Sequence, residues 1–362
     1  MQQPVSSPSD RPARLWRPKR VLVTRSARSW EHGRAMADRA HALGLEVVDL
    51  PSDRLMLDRW SDPRRAYAEA KQTLAIVNAP PSKRRLQPIA PSADWRVDLA
   101  EGCPAHCSYC YLAGSLKGPP VTRAYANLPE IFAALPEYLG KGLVTSRSRQ
   151  RFSEGTTYEA SCYTDPLAIE HLTGSLSALV AFFGTWDVEA QLRFTTKFSA
   201  VEPLLSIAHG GRTRVRASLN PPVFARHEGG TSPVADRIAA LRRLAEAGYK
   251  IGLTIAPIIA ASGWQEAYGT LIDRIGEALR GMPVDLTVEL ITHRYTAGSR
   301  EVLTSWYPGS DLDMSDGNRV EKRTKFGGVK YVYDAQIMGE LRRFFQTRIE
   351  SVLPTARILY FT

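Results

Sequence analysis

Between residues 95 and 293 the chain alternates short apolar, β-branched runs with helical patterns, and no other feature limits its fold as much. Strand-like runs lie at 95–100 (WRVDLA), 156–161 (TTYEAS), 191–198 (QLRFTTKF), 212–219 (RTRVRASL), 250–258 (KIGLTIAPI) and 285–293 (DLTVELITH). Helical patterns fall at 127–139, 166–183, 233–247 and 264–280; in the third, Ile238, Leu241, Leu244 and Ala245 share one face. Repeats of this kind build a parallel sheet, either doubly wound or curled into a full or partial (β/α) barrel. Spacing alone leaves that choice open.

The flanks are simpler. A strand at 21–26, a helix at 31–43 and a strand at 45–50 precede a basic, proline-bearing stretch, 79–92, that reads as a linker. After residue 300 the alternation stops, and a hairpin around Lys330–Tyr333, a helix at 335–351 and a strand, RILYFT, end the sequence. The expected division is a disordered basic tail (1–19), a small N-terminal α/β region with linker (20–92), the barrel (93–298) and a C-terminal extension (299–362).

Three of the four cysteines crowd into EGCPAHCSYCYLAG, residues 101–114, where Cys103, Cys107 and Cys110 are spaced C-x3-C-x2-C. Such crowding fits metal or cluster ligands in a reducing compartment better than a disulfide framework. The loop follows the first strand of the series, and parallel α/β folds build their sites at strand C-termini. Zinc would need a fourth ligand, for which His106 is available, but adjacent residues in one tight turn would then have to aim at a single ion. A cubane iron–sulfur cluster on three cysteines leaves one iron without a protein ligand, open to substrate.

The formal net charge of +10 invites an anionic partner, although plain solubility would need no other cause. Residues 318–330 (NRVEKRTKFGGVK) carry five basic side chains and one acid among glycines and aromatics, a composition suited to a turn lying against phosphates. The longest uncharged runs, 171–186 and 251–265, are too short and broken to span a bilayer, and residues 1–20 lack a secretory pattern. No membrane partner and a cytoplasmic location are expected.

C-x3-C-x2-C followed by an aromatic resembles the signature of radical S-adenosylmethionine (SAM) enzymes. Beyond it, YEASCYTDPLAIEHLTGSL, LRFTTKF, RVRASLN, the block from EGGTSPVADRI to GLTIAPI, GWQEAY, VELITHRYT and ARILYFT occur in an order similar to the spore photoproduct lyase family. That resemblance runs from about residue 94 to the last residue, with weaker similarity in 20–93. It implies a partial (β/α)6 barrel holding a 4Fe–4S cluster on Cys103, Cys107 and Cys110, whose open iron binds SAM. It also implies an activity: reversal, in double-stranded DNA, of the thymine dimer 5-thyminyl-5,6-dihydrothymine by way of a 5′-deoxyadenosyl radical.

By the same resemblance Cys162 is the hydrogen-atom donor, Tyr109 and Tyr111 relay hydrogen, and Thr164, Lys197, Ser218 and Ala256 contact SAM. A serine stands in the known enzymes where this chain has Thr164, and Pro104 is a further departure. DNA contacts are expected from His293, Arg294, Lys325, Lys330 and Tyr331, and an electron donor such as flavodoxin or ferredoxin is implied. Two other readings compete: a related radical SAM enzyme acting on another nucleic-acid or modified-base substrate, and a non-catalytic zinc DNA-binding module.

Overall fold

The computed structural model describes residues 14–57, 60–115, 120–145, 148, 150–315, 317, 319–323 and 328–362. All six expected strands form, at Ala93–Val97, Thr156–Ala160, Ala190–Thr196, Thr213–Leu219, Lys250–Ile258 and Leu286–Thr292. They lie parallel and in chain order across one curled sheet, a half-barrel. Arg357–Phe361 adds a parallel strand at one edge, and Gln87–Ile89 adds an antiparallel one at the other.

Strand alternation sorts the side chains by face. Leu192, Phe194, Val215, Leu253, Val288 and Leu290 are buried in the main core, together with Leu176 and Leu179 of the helix Ser175–Thr185, Ile238 and Leu241 of Val234–Glu246 and Ile272 of Trp264–Ala278. The helix Ala335–Val352 packs against the last of these, with Phe345 set 5.1 Å from the ring of Tyr268. The alternate set is polar. Arg216 donates to both oxygens of Glu289 at 2.6 Å, to Ser92 Oγ at 2.7 Å, and to Glu159. Arg193 reaches Glu154 at 2.8 Å, and Glu154 also receives Arg151 at 2.9 Å.

The linker expected at 79–92 is instead structured, with a helical turn at Pro81–Arg84 and the edge strand Gln87–Ile89. The helix expected at 166–183 breaks at Gly174, whose φ of +63° suits glycine, and its halves meet at 95°. The pattern at 127–139 becomes the helix Leu128–Ala134 followed by a 3-10 turn, Leu135–Tyr138, containing Pro136. A helix not read from the sequence, Ala297–Trp306, starts at a capping box made by Thr296 and Ser299. Among the described residues no single helix is long and apolar enough to cross a membrane.

A second sheet has five strands in the order Glu46–Asp49, Arg20–Val23, Thr73–Val77, Thr122–Tyr125, Ala100–Glu101. Its last two strands lie on either side of the cysteine loop in sequence, so that loop leaves from one strand of this sheet and returns to another. Val21, Val23, Met36, Leu74, Ile76 and Ala124 form its core, joined by Leu172 from the broken helix.

Arg216 is the cation shared by two buried carboxylates, Glu159 and Glu289, and its loss leaves Glu289 only the more distant Arg193, at 3.6 Å. Arg216→Met is expected to cost about 3–5 kcal/mol, read as a lower urea midpoint with an unchanged denaturant slope.

Candidate functional site

Gly102 opens the cysteine loop with φ +75°, and a Cβ there would lie 2.3 Å from Val121 O, so only glycine fits. The loop is held from two sides. Lys71 donates to the carbonyls of Cys103 and Ala105, and Cys107 pairs with Glu228 in a short antiparallel bridge. Cys103, Cys107 and Cys110 all line one cavity of about 410 Å³ at the mouth of the half-barrel. Burial pushes the Cys103 thiol up to about 11 and raises Cys107 too, while Lys71 beside Cys103 and Lys197 beside Cys107 pull the other way.

His106 is not turned toward this cavity. Its Nδ1 sits 3.1 Å from the Tyr67 phenol, and its ring packs against Gly230 on the far side of the loop. Among the described residues no group of three or more His, Cys, Asp or Glu side chains is gathered to hold a single metal ion. Zinc needs its ligands on one ion, whereas a cubane takes each sulfur on a different iron. The donor set therefore fits a cluster and not structural zinc.

Three strand ends bring Lys197, Ser218 and Ala256 together. Lys197 Nζ donates to Ser218 Oγ at 2.6 Å, to Ala256 O at 3.1 Å and to Glu228 at 3.1 Å. Asp165 fixes the end of the lysine's strand, accepting from Lys197 N at 2.7 Å and Thr196 Oγ1 at 2.8 Å. Thr164 lines the same cavity, and its hydroxyl is buried without a hydrogen-bond partner. An orphaned hydroxyl in the wall of this cavity suits a polar ligand that supplies the missing contact. The site as a whole thus has room and partners for SAM against the cysteines.

Cys162 enters the cavity from the turn after Thr156–Ala160. Ser161 just before it has φ 52°, and is held there by its N–H on Val97 O at 2.7 Å and by Leu99 N on its Oγ at 2.9 Å. That strained backbone redirects the chain so that Cys162 lines the cavity. Burial raises the Cys162 thiol far above its ordinary range. Tyr109 is buried and donates its phenol to Glu228, whereas Tyr111 is 41% exposed, with the Arg294 guanidinium 5.9 Å from its ring.

The comparisons with known proteins agree with one another. The family model for spore photoproduct lyase matches residues 16–362. The chain belongs to the spore photoproduct lyase family. It is 35% identical over 348 residues to the spore photoproduct lyase of a Geobacillus species, and 33% identical over 348 residues to that of Bacillus subtilis; each match covers 95% of this chain and 98% of the relative. A solved spore photoproduct lyase variant with bound AdoMet and dinucleoside spore photoproduct superposes with a TM-score of 0.87 at 34% identity, covering 96% of this chain and 100% of that one. Another, complexed with the dinucleoside spore photoproduct, gives 0.86 at 35% identity over 95% of this chain and 99% of that one.

In this lyase-family chain the late hairpin, Arg319–Arg323 with Val329–Tyr333, stands beside the cavity through Arg294 and His293. His293 lines the cavity and is buried; desolvation and Arg319 lower its pKa to about 3, its Nδ1 accepts from Arg319 at 2.9 Å, and its Nε2 has no hydrogen-bond partner. Arg294 lines the cavity and Lys330 is half-buried on the hairpin, its pKa lowered by burial and by Arg294 and Lys322. Tyr331 stacks on Tyr295 at 5.2 Å, and Lys325 lies outside the described residues.

Sequence reasoning missed Glu228, the residue on which the lyase site closes. It accepts from Tyr109, from Lys197 and Asn220 at 3.1 Å, and from Arg237 at 2.7 Å. A single acid opening a block similar to the family was the one available signal. Lys197 and Arg237 outweigh desolvation and hold Glu228 at about 2. Against an ordinary value of 4.5, its depressed pKa stabilises the fold above pH 4.5, and that contribution is lost as pH falls through about 2. Glu228→Gln is therefore expected to flatten the acid limb of a urea-unfolding pH series, by on the order of 3 kcal/mol between pH 5 and 2.

Proposed function

We propose that this chain is a radical SAM lyase that reverses spore photoproduct in DNA to two thymines. One observation carries the reading: in a member of this family, the three cluster cysteines, Cys162, the Lys197–Ser218–Ala256 group and the orphaned Thr164 hydroxyl all border a single cavity. With a 4Fe–4S cluster on Cys103, Cys107 and Cys110 and SAM beside it, the pair supplies a 5′-deoxyadenosyl radical that takes hydrogen from C6 of the lesion.

The chain's own groups do the rest. Lys197, Ser218, Thr164 and the Ala256 carbonyl hold the cofactor's polar groups at the strand ends. Once hydrogen has left C6, the carbon–carbon link between the thymines breaks homolytically and leaves an allyl radical on one base. Cys162 answers it with a hydrogen atom. Its raised pKa serves this step, because only the thiol, and not the thiolate, carries a hydrogen to give. The sulfur radical would then take a hydrogen through Tyr111 and Tyr109. The tyrosyl radical left behind would draw its replacement from the methyl group of 5′-deoxyadenosine, so that the unpaired electron returns to the cofactor and no radical is left on the chain.

Arg294, Lys330 and Lys325 are proposed to meet phosphates, and Tyr331 to support the displaced strand. Extruding the lesion costs a few kcal/mol, less at a distorted step, and phosphate contacts offset it. An electron donor of the flavodoxin or ferredoxin kind completes the reaction.

Two measurements test this. Anaerobically reconstituted protein is expected to bind about four irons and four sulfides and to convert spore-photoproduct DNA to thymines when SAM and reductant are supplied. Cleavage of SAM without dimer reversal would point to another base substrate. Cys162→Ala is expected to leave SAM cleavage intact while diverting most product to trapped adducts; clean repair by that variant would remove Cys162 as donor. Cys103→Ala, Cys107→Ala or Cys110→Ala is expected to abolish cluster and repair together.

A further inference from the structure

Lys71 carries a buried charge that the proposed chemistry leaves unused. It is the last residue of the helix Pro63–Lys71, in the N-terminal region, and stands one helical turn after Tyr67. Both side chains face the cysteine loop. The Tyr67 phenol lies 3.1 Å from His106 Nδ1, and Lys71 Nζ donates to the carbonyls of Cys103 and Ala105. Lys71, Cys103, Cys107 and Cys110 border one small void on the side of the loop where Tyr67 meets Tyr307.

Lys71 is only 7% exposed, and among the described residues it has neither a carboxylate partner nor an acceptor for its third N–H. Carboxylates on the neighbouring elements are committed: Glu69 to Arg20, Glu101 to Lys83, and Glu228 to Lys197 and Arg237. Asp165 accepts from Thr196 and from the Lys197 amide. Two loop carbonyls call for donors, which a neutral side chain could supply, and not for a charge. Burying an ammonium without an anion is costly. The fold therefore sets a cation beside the three cysteines and provides nothing of its own to neutralise it.

We propose that Lys71 is the counter-cation for a cluster on Cys103, Cys107 and Cys110, and that its fixed charge raises the potential at which that cluster accepts an electron. The inference rests on the reading of these cysteines as cluster ligands. Three thiolates outweigh the charge of an oxidised cubane core, so the bound group is an anion, and one electron makes it more so. A cation beside it favours the reduced form, and burial leaves that attraction poorly screened. The electron comes from the flavodoxin- or ferredoxin-type donor of the proposed reaction, and no bond or proton changes at Lys71. Lys197, the other lysine close to the cysteines, is already balanced by Glu228. The small N-terminal sheet thus gains a part in the chemistry, by contributing a charge that the barrel does not.

The test uses full-length protein, reconstituted anaerobically and titrated against a reductant of known potential, with the reduced cluster followed by electron paramagnetic resonance. Lys71→Gln and Lys71→Met are expected to lower the midpoint potential by about 59 mV, a tenfold change in a one-electron equilibrium. Lys71→Arg, which keeps the charge, should stay at the wild-type value. Urea unfolding with and without the cluster gives an independent reading. Neutralising Lys71 should shrink the stabilisation that loading confers, whereas a lysine that merely clamps two carbonyls would lower loaded and unloaded protein alike. A midpoint unchanged in both neutral variants, or equal losses in loaded and unloaded protein, would overturn the proposal. If neither neutral variant takes up the cluster, Lys71→Arg decides: loading restored with the charge supports it, and loading lost despite the charge overturns it. Wild-type protein that binds no iron would instead sink the cluster reading itself.

Discussion

The site depends on one buried carboxylate accepting from several directions. Glu228 receives Tyr109 from the cysteine loop, Lys197 from a barrel strand, Asn220 from the end of the next and Arg237 from the helix outside. Its backbone also pairs with Cys107. A single side chain thus sets the height of the cysteine loop above the strand ends and the direction in which Lys197 points. The two cations on Glu228 keep it charged, and the charge in turn keeps Lys197 from swinging toward solvent. Removing any one donor leaves the others competing for the same two oxygens.

Below that level the half-barrel is filled by ions and not by hydrocarbon. Arg193, Arg214 and Arg216 are among the largest fully buried side chains, each matched to carboxylates or carbonyls. Buried pairs of this kind are weak sources of stability, since desolvation consumes most of the attraction. Their geometry, however, is stiff and directional. Glu159, Arg216 and Glu289 line the cavity, so this ion network is part of its wall. A rigid base lets strand-end residues such as Ser218 and Cys162 be placed to within the tolerance that radical transfer requires.

What the sequence disclosed follows from where each signal resides. The strand at 213–219 was legible because Arg214, Arg216 and Ser218 alternate with Val215, Ala217 and Leu219 at the two-residue period of a strand. The gathering of the three cysteines at one cavity was legible because they lie close together in sequence. The helix Pro63–Lys71 and strand Thr73–Val77 went unread, since a short buried strand between a polar helix and prolines has no period of its own. Gly174 gave no warning of its bend, because the apolar pattern continues through it. Partners far apart in sequence were the least accessible: 119 residues separate Tyr109 from Glu228, and 59 separate Lys197 from Ala256. His293 reads as a basic residue in sequence, but burial and Arg319 favour its neutral ring, and only the fold supplies those surroundings.

Finally, the cysteine loop is strung between two strands of the small sheet, Ala100–Glu101 and Thr122–Tyr125. Whatever grips the three sulfurs therefore also cinches that sheet shut. By mass action, occupancy and architecture become one equilibrium. A cluster held there would accordingly stabilise the small sheet as well as equip the site.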